Sequence, residues 1–456
     1  MASVPIAEAG AGKTQFSPLY RGWLLTMLLI VCAVNYADRS VVGAVAEPLR
    51  RDLGINDTQL GLLQGLSFAL LYSVLGIPFA RLAERHNRIR ILAAATTLWS
   101  AMTVLCGAAA SFMQLLLIRI GVGVGEAGFM APASSLIGDH FPREKRAMAT
   151  SIMMLGVPLG ALVGAVGGGV IAETLNWRWA FVIMGAPGIL VALVLWLTLR
   201  EPPRGLGDAM PDTDGHVPTL SEVARKVFAH PVFCHVLAGG TLASFGLHGL
   251  GQFLGVYFAR VHQLPLSEAG SLFGMLTFVS VSGGLLIGGS LAGRLGRRDL
   301  AWYALIPAIG TFLAAPLYFM ALSRVDLTFN IAMLGVAGIC LLFHYGPGLA
   351  IVQNLASARS RASTIAIYSL VVNAIGMALA PTLVGLFSDI FAAQELARHP
   401  GVICATHDAS PACLAISGTG LRHAMLATIP LYIWAGIHYL LAARAMKREA
   451  AGSVGG

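Results

Sequence analysis

ARLAERHNRIR at residues 80–90 and GSLAGRLGRR at residues 289–298 are the two stretches on which the fold turns. In each, a Leu-Ala pair is followed by an arginine three residues after the leucine (Arg85 and Arg294), and the stretches stand 209 positions apart. Each closes a long apolar run. Working outward from them, twelve segments are long and apolar enough to cross ~30 Å of hydrocarbon at 1.5 Å per residue. They are expected near 23–45, 59–80, 91–110, 113–138, 148–171, 179–199, 232–258, 269–292, 300–321, 328–354, 363–387 and 421–443. Composition agrees: 56% of the 456 residues are hydrophobic, 11% are charged and mean hydropathy is +0.75. A soluble domain carries about 25% charged residues, so a soluble enzyme and a disordered regulator are both excluded. The expected class is an all-α membrane protein of twelve transmembrane helices in two six-helix halves, because a duplicated six-helix unit is the mark of a secondary transporter.

The boundaries that follow are an N-terminal tail at 1–22, a first bundle at 23–200, a linker at 201–230, a second bundle at 231–445 and a C-terminal tail at 446–456. No removable signal segment is expected before the first span. Twelve spans put both termini on one side, where 21 of the 30 basic residues fall against 7 opposite. That bias predicts cytoplasmic termini in a plasma (inner) membrane. The net charge of +8 is therefore one of orientation, and no nucleic-acid partner is implied. Within the linker, Thr219 and Glu222 have capping-box spacing ahead of Leu220, Val223 and Val227. This reads as a short helix, either on the membrane surface or solvated. The longest outer connection, near 389–420, holds Cys404 and Cys413, which face an oxidising compartment and either close a small ring or remain free thiols. His399 and His407 lie near but match no zinc spacing, so neither metal nor cofactor is expected. Gly156, Gly160, Gly164 and Gly168 form a small-residue ladder on the fifth span, approximated by Gly376, Ala380 and Gly385 on the eleventh. Such ladders let helices pack closely or slide.

Four ionisable side chains fall well inside the hydrocarbon: Asp38 and Arg39 in the first span, Arg119 and Glu126 in the fourth. Each costs about 2.5–3.5 kcal/mol on insertion scales, too much to carry without pairing or function. Arg119 and Glu126 are two turns apart and share a face. Depth alone brings Asp38 within reach of Arg119. Protonating Asp38 or Glu126 would then release an arginine, which is a route to proton-coupled alternating access, with Arg39 and Arg119 as ion partners or as anchors for a phosphate or carboxylate. A purely structural ion network is the alternative.

The residues at 80–90 and 289–298 resemble the major facilitator signature between the second and third spans. Ala80, Glu84 and Asn87 stand where the family has Gly, Asp and Gly, and Gly293 replaces the acid in the second copy. Asn35-Tyr36-Ala37-Asp38-Arg39, together with Arg119, Gly123-Val124-Gly125-Glu126-Ala127 and Pro132, is similar to the Spinster branch, whose animal members move sphingolipids and lysophospholipids. The resemblance implies that the first and fourth spans line a central cavity. It also implies that Glu84 keeps the pairing role of the family's acid.

Further candidates are Asn35 and Tyr36 beside the charged pair, and His248, His344 and Tyr345 in the second half, each a head-group contact or a packing residue. Glu84, Arg85, Arg88, Asp139, Glu144 and Arg143 read either as a cytoplasmic gate or as topology-setting charges. A cavity charged on one wall and apolar on the other suits an amphipathic or lipid-like substrate, taken from among membrane lipids and moved with protons by a monomer. Small organic anions or drugs fit the repeat and the buried charges equally. No phosphate loop or catalytic constellation supports an enzyme.

Overall fold

The computed structural model describes residues 16–203, 219–356, 360–405, 408 and 410–454; the side chains of residues 68, 84, 143, 144, 147, 361, 362 and 452–454 lie outside that description, and so does His407. The described residues are helical, with twelve stretches able to span a membrane: Pro18–Ala44, Asp57–Ala83, Arg88–Cys106, Phe112–His140, Met148–Thr174 and Trp177–Thr198 in the first half, then Pro231–Gln252, Leu266–Leu295, Trp302–Ser323, Leu327–Leu355, Ser363–Ala397 and Pro411–Ala451 in the second. They are called spans one to twelve below.

Local chemistry sets the ends. Ser17 accepts from the Tyr20 amide and Pro18 occupies the first turn, so span one begins before residue 23, where hydropathy alone placed it. At the other end of the chain the expected tail is helical through Val454, because residues 445–451 (AMKREAA) are all good helix formers. The expected long outer connection is also mostly helix. Span eleven runs to Ala397 and span twelve starts at Pro411 behind a Ser410 cap, leaving only residues 398–410 between them. The linker helix Leu220–Phe228 has its full capping box, and Val223 and Val227 are buried with Val232, Phe233, Ile351 and Val352 of the second half. Part of its apolar face thus covers protein, while Leu220 and Phe228 stay exposed.

The repeat is visible in the backbone. Span one breaks at Val45 and continues as a short helix Ala46–Leu53; span seven breaks at Phe253 and continues as Leu254–Val261, a shift of 208 positions. Span four breaks after Glu126, where Gly128 and Pro132 interrupt the hydrogen-bond ladder, and span ten breaks at Leu342–His344, just ahead of Pro347. Span eleven carries a π-helical stretch, Val372–Leu379. Discontinuous helices at matching places in two halves mark the centre of a transporter.

Packing separates what is rigid from what can part. On span five the glycine ladder is a seam within the first half. A Cβ at Gly156, Gly160 or Gly164 would lie 2.1–2.6 Å from backbone or Cβ atoms of span one, so nothing larger fits and the two helices move as one. Close approaches between the halves lie elsewhere: Gly61 and Gly65 against Pro381 and Ala378, Gly385 against Asp57, Gly270 against Ala165. Gly61, Gly385 and Gly270 lie toward the ends of the spans farthest from the chain termini, and the contact of Gly65 with Ala378 reaches the middle of span eleven. At the terminal end, span two is the element of the first half that meets span eleven, through the start of the latter. Among the described residues the close contacts between the halves are therefore concentrated on the side opposite the termini and are few toward the termini.

Candidate functional site

Span one presents Asn35, Tyr36, Asp38 and Arg39 midway along the bundle. The Arg39 guanidinium donates from Nε to Glu126 Oε2 at 2.6 Å and lies over the rings of Tyr36 and Tyr72, 4.8 and 4.9 Å from their centroids. Glu126 is fully buried, whereas the Arg39 side chain keeps 13% of its surface accessible. Glu126 ends the first helical segment of span four, the negative end of that segment's dipole, where a cation such as Arg39 is favoured. Asn35 sits beside the same carboxylate.

Asp38 lies within the electrostatic reach of Arg119, and it also meets span three. Asp38 Oδ2 accepts from Thr103 Oγ1 of span three at 3.2 Å, and the charges of Arg119 and Glu126 both act on it. The cause is register: the tight seam with span five at Ala37 turns Asp38 toward span three, while Arg39, one residue on, points across to span four. The structure thus gathers all four charges, with Arg39 taking the direct bond to Glu126. Tyr72 is the member of this group that the sequence did not reveal, since one tyrosine in an apolar span is unremarkable.

From the second half, His248, His344 and Tyr345 face this group. Arg39 acts on His248 across the gap, and His248 acts on His344. Both histidines are tethered to backbone: His248 Nδ1 lies 3.0 Å from the Ser244 carbonyl, His344 Nδ1 2.7 Å from that of Leu341. His344 is buried against Tyr439, the arrangement of a packing residue. Tyr345 is 59% exposed and follows the break in span ten, which turns its phenol toward Tyr36 and Tyr72.

At the terminal end, Arg88 is buried and bonds Asp139, Glu201 (Nε to Oε1, 2.6 Å) and the Pro202 carbonyl. These groups belong to spans three and four and to the chain leaving span six, so the cluster staples one half. Glu201 had read as a linker residue. Arg85 is exposed, and the side chains of Glu84 and Arg143 are outside the described residues. Cys404 and Cys413 are joined as a disulfide with Cα atoms 5.6 Å apart.

The sequence missed a second ionic cluster, on the side opposite the termini. Arg260, on Leu254–Val261, is buried and forks onto both oxygens of Asp57 (2.7 Å each) while its Nε reaches Glu47 at 2.8 Å. Glu47 also bonds Arg50 and Arg51, and Ser388 donates to Asp57. Burial opposes the Glu47 charge, but the guanidinium groups of Arg260 and Arg50 outweigh it and hold the carboxyl well below the usual range.

Two repeated six-helix units, joined closely at one end and facing each other across a charged centre, make a secondary transporter by class. The Major Facilitator Superfamily model matches residues 28–381, and the chain belongs to that superfamily. An MFS-type efflux pump of Mycolicibacterium smegmatis is 32% identical over 81% of this chain and 85% of that protein. The human protein spinster homolog 1 is 27% identical over 85% of this chain and 76% of its own length. A crystal structure of a bacterial homologue of the human lysosomal transporter Spinster, inward-facing and unoccupied, superposes with a TM-score of 0.85 at 33% identity, covering 95% of this chain and 99% of that one. The protein is a Spinster-like transporter and not an enzyme.

Proposed function

We propose that this transporter sits in the plasma (inner) membrane as a monomer with both termini cytoplasmic, and that it moves an amphipathic or lipid-like molecule with a charged head group by proton-coupled alternating access. The observation that carries this reading is Arg39. It is a partly accessible cation at membrane depth, balanced by Glu126 and flanked by two aromatic faces. An anionic phosphate or carboxylate head would compete with Glu126 for that guanidinium, and protonating Glu126 or Asp38 would favour the competitor. Tyr345 and the neutral second-half wall leave room for an apolar body. With cytoplasmic termini the close contacts between the halves fall on the outer side, which fits the inward-facing state of the crystallised bacterial Spinster homologue.

The test is uptake into proteoliposomes of lysophospholipids and of small aromatic acids, with and without a pH gradient, by the wild type and by Asp38→Asn and Glu126→Gln. The expected outcome is gradient-dependent transport of the lysolipid that loses its gradient dependence in either variant. Folded variants that respond to the gradient like the wild type would sink the coupling. A second reading, efflux of small organic anions or drugs, is favoured by the description of the Mycolicibacterium relative as an efflux pump, and faster transport of the aromatic acids would select it.

A further inference from the structure

We infer that Arg260 is a positioning residue of the transport cycle: with Glu47, Asp57 and Asp389 it forms the latch that holds the two halves together on the side opposite the termini. The inference rests on the fold alone and holds whichever substrate is moved. The short helices Ala46–Leu53 and Leu254–Val261 continue spans one and seven at equivalent places in the repeat, and they meet at the mouth. One brings Glu47 and the other Arg260, joined at 2.8 Å. Arg260 also takes both oxygens of Asp57, the first residue of span two, so one cation of the second half ties down two anions of the first.

A second tie runs the other way. Asp389 of span eleven accepts from the amides of Asp57 and Thr58 at 3.1 and 2.8 Å and from Thr58 Oγ1 at 2.6 Å. A carboxylate of one half thus caps a helix of the other. Beneath both ties the halves touch backbone to backbone at Gly61, Gly65 and Gly385, leaving no flexible side chains to stretch as they part. A buried charge left without its partner is costly, so separation must hydrate Arg260, Glu47 and Asp57 together. That makes the mouth a two-position device, shut and dry or open and wet. The Arg88 cluster at the other end lies within one half and does not oppose it.

The experiment places spin labels at Leu175→Cys and Val325→Cys, exposed positions on this side in opposite halves, in the full chain with Cys234→Ser, and reads their distance distribution by pulsed EPR. The unsubstituted latch should give mainly the short distance. Arg260→Gln should raise the ratio of long to short distances by about tenfold or more, and Arg260→Lys by less. Exchanging the charges, Arg260→Asp with Asp57→Arg, should restore part of the short population, which a merely structural arginine would not do. An unchanged distribution in folded Arg260→Gln, or no recovery on charge exchange, would overturn the latch. If Arg260→Gln does not fold, Asp389→Asn at the rim carries the same expectation at about threefold, and an unchanged distribution there overturns it equally.

Discussion

Glu126→Gln, Arg39→Gln and the double variant form a cycle that measures how far the central pair acts as a unit. At 2.6 Å and an effective dielectric near 20, the gross attraction is roughly 6 kcal/mol. Desolvation of both groups consumes much of this, yet removing one partner strands the other charge in the bundle and costs about 3–5 kcal/mol. Arg39→Gln also forfeits the contacts with Tyr36 and Tyr72, each ~0.5–1 kcal/mol, and should be the more damaging single change. In the double variant no charge is stranded and two amides can hydrogen-bond, so its cost should stay near 2 kcal/mol, well below the sum of the singles. For 456 residues at ~2.1 cal/mol/K each, the unfolding entropy is about 1 kcal/mol/K, so each single change should lower the thermal midpoint by at least about 3 °C. The assay is thermal unfolding of the purified protein in detergent. Additive losses, with the double variant the least stable of the three, would refute the reasoning and return Arg39 and Glu126 to independent roles.

Three further outcomes are expected. Gly164→Leu, whose Cβ would come 2.3 Å from the Ala37 carbonyl oxygen, should force spans one and five apart and destabilise by about 1–3 kcal/mol or more, whereas Gly289→Leu, with open space around it, should leave the thermal midpoint unchanged. Thr219→Ala removes the cap of the linker helix, worth ~1 kcal/mol, so amide exchange in Leu220–Phe228 should quicken roughly fivefold while transport persists. Glu47 titrates below its ordinary value of 4.5, so its ion pairs are intact above that pH and are lost only as pH falls further toward the folded value; the Glu47 carboxylate band in infrared difference spectra against Glu47→Gln should hold from about pH 8 to 5.5 and disappear only in stronger acid.

The spans were legible because the bilayer imposes a length and a polarity that few other environments do. Asp38, Arg39, Arg119 and Glu126 were legible for the same reason, since a charge at depth is expensive enough to be conspicuous. Their pairing was not: two residues adjacent in span one diverge by about 100° around the helix, and only the glycine seam at Ala37 decides which of them faces span four. Glu47, Asp57 and Arg260 escaped notice because they fall where the chain leaves the membrane and charges are ordinary. The signal that would have found them was the repeat, carried past the signature: 208 positions separate Ala46–Leu53 from Leu254–Val261, and a buried-looking run of Leu254, Val256, Tyr257 and Phe258 surrounds the one arginine. Glu201 hid beside two prolines in what reads as linker.

The two ionic clusters do different mechanical work because of where the division between halves runs. Arg39–Glu126 joins spans one and four inside the first half, so rocking the halves need not break it, and only a change of protonation or a competing anion does. Arg260 bonds across the division, so rocking must break it whatever the protonation of the centre. Span one carries a member of each: Arg39 in its helix and Glu47 eight residues later, beyond the break at Val45. Span one is also fixed to span five by the glycine seam, and its Gly43 meets Phe273 of the second half. On the proposed function, a head group that displaced Arg39 would act on a span fixed to span five, whose continuation beyond the break at Val45 carries Glu47 of the closed mouth.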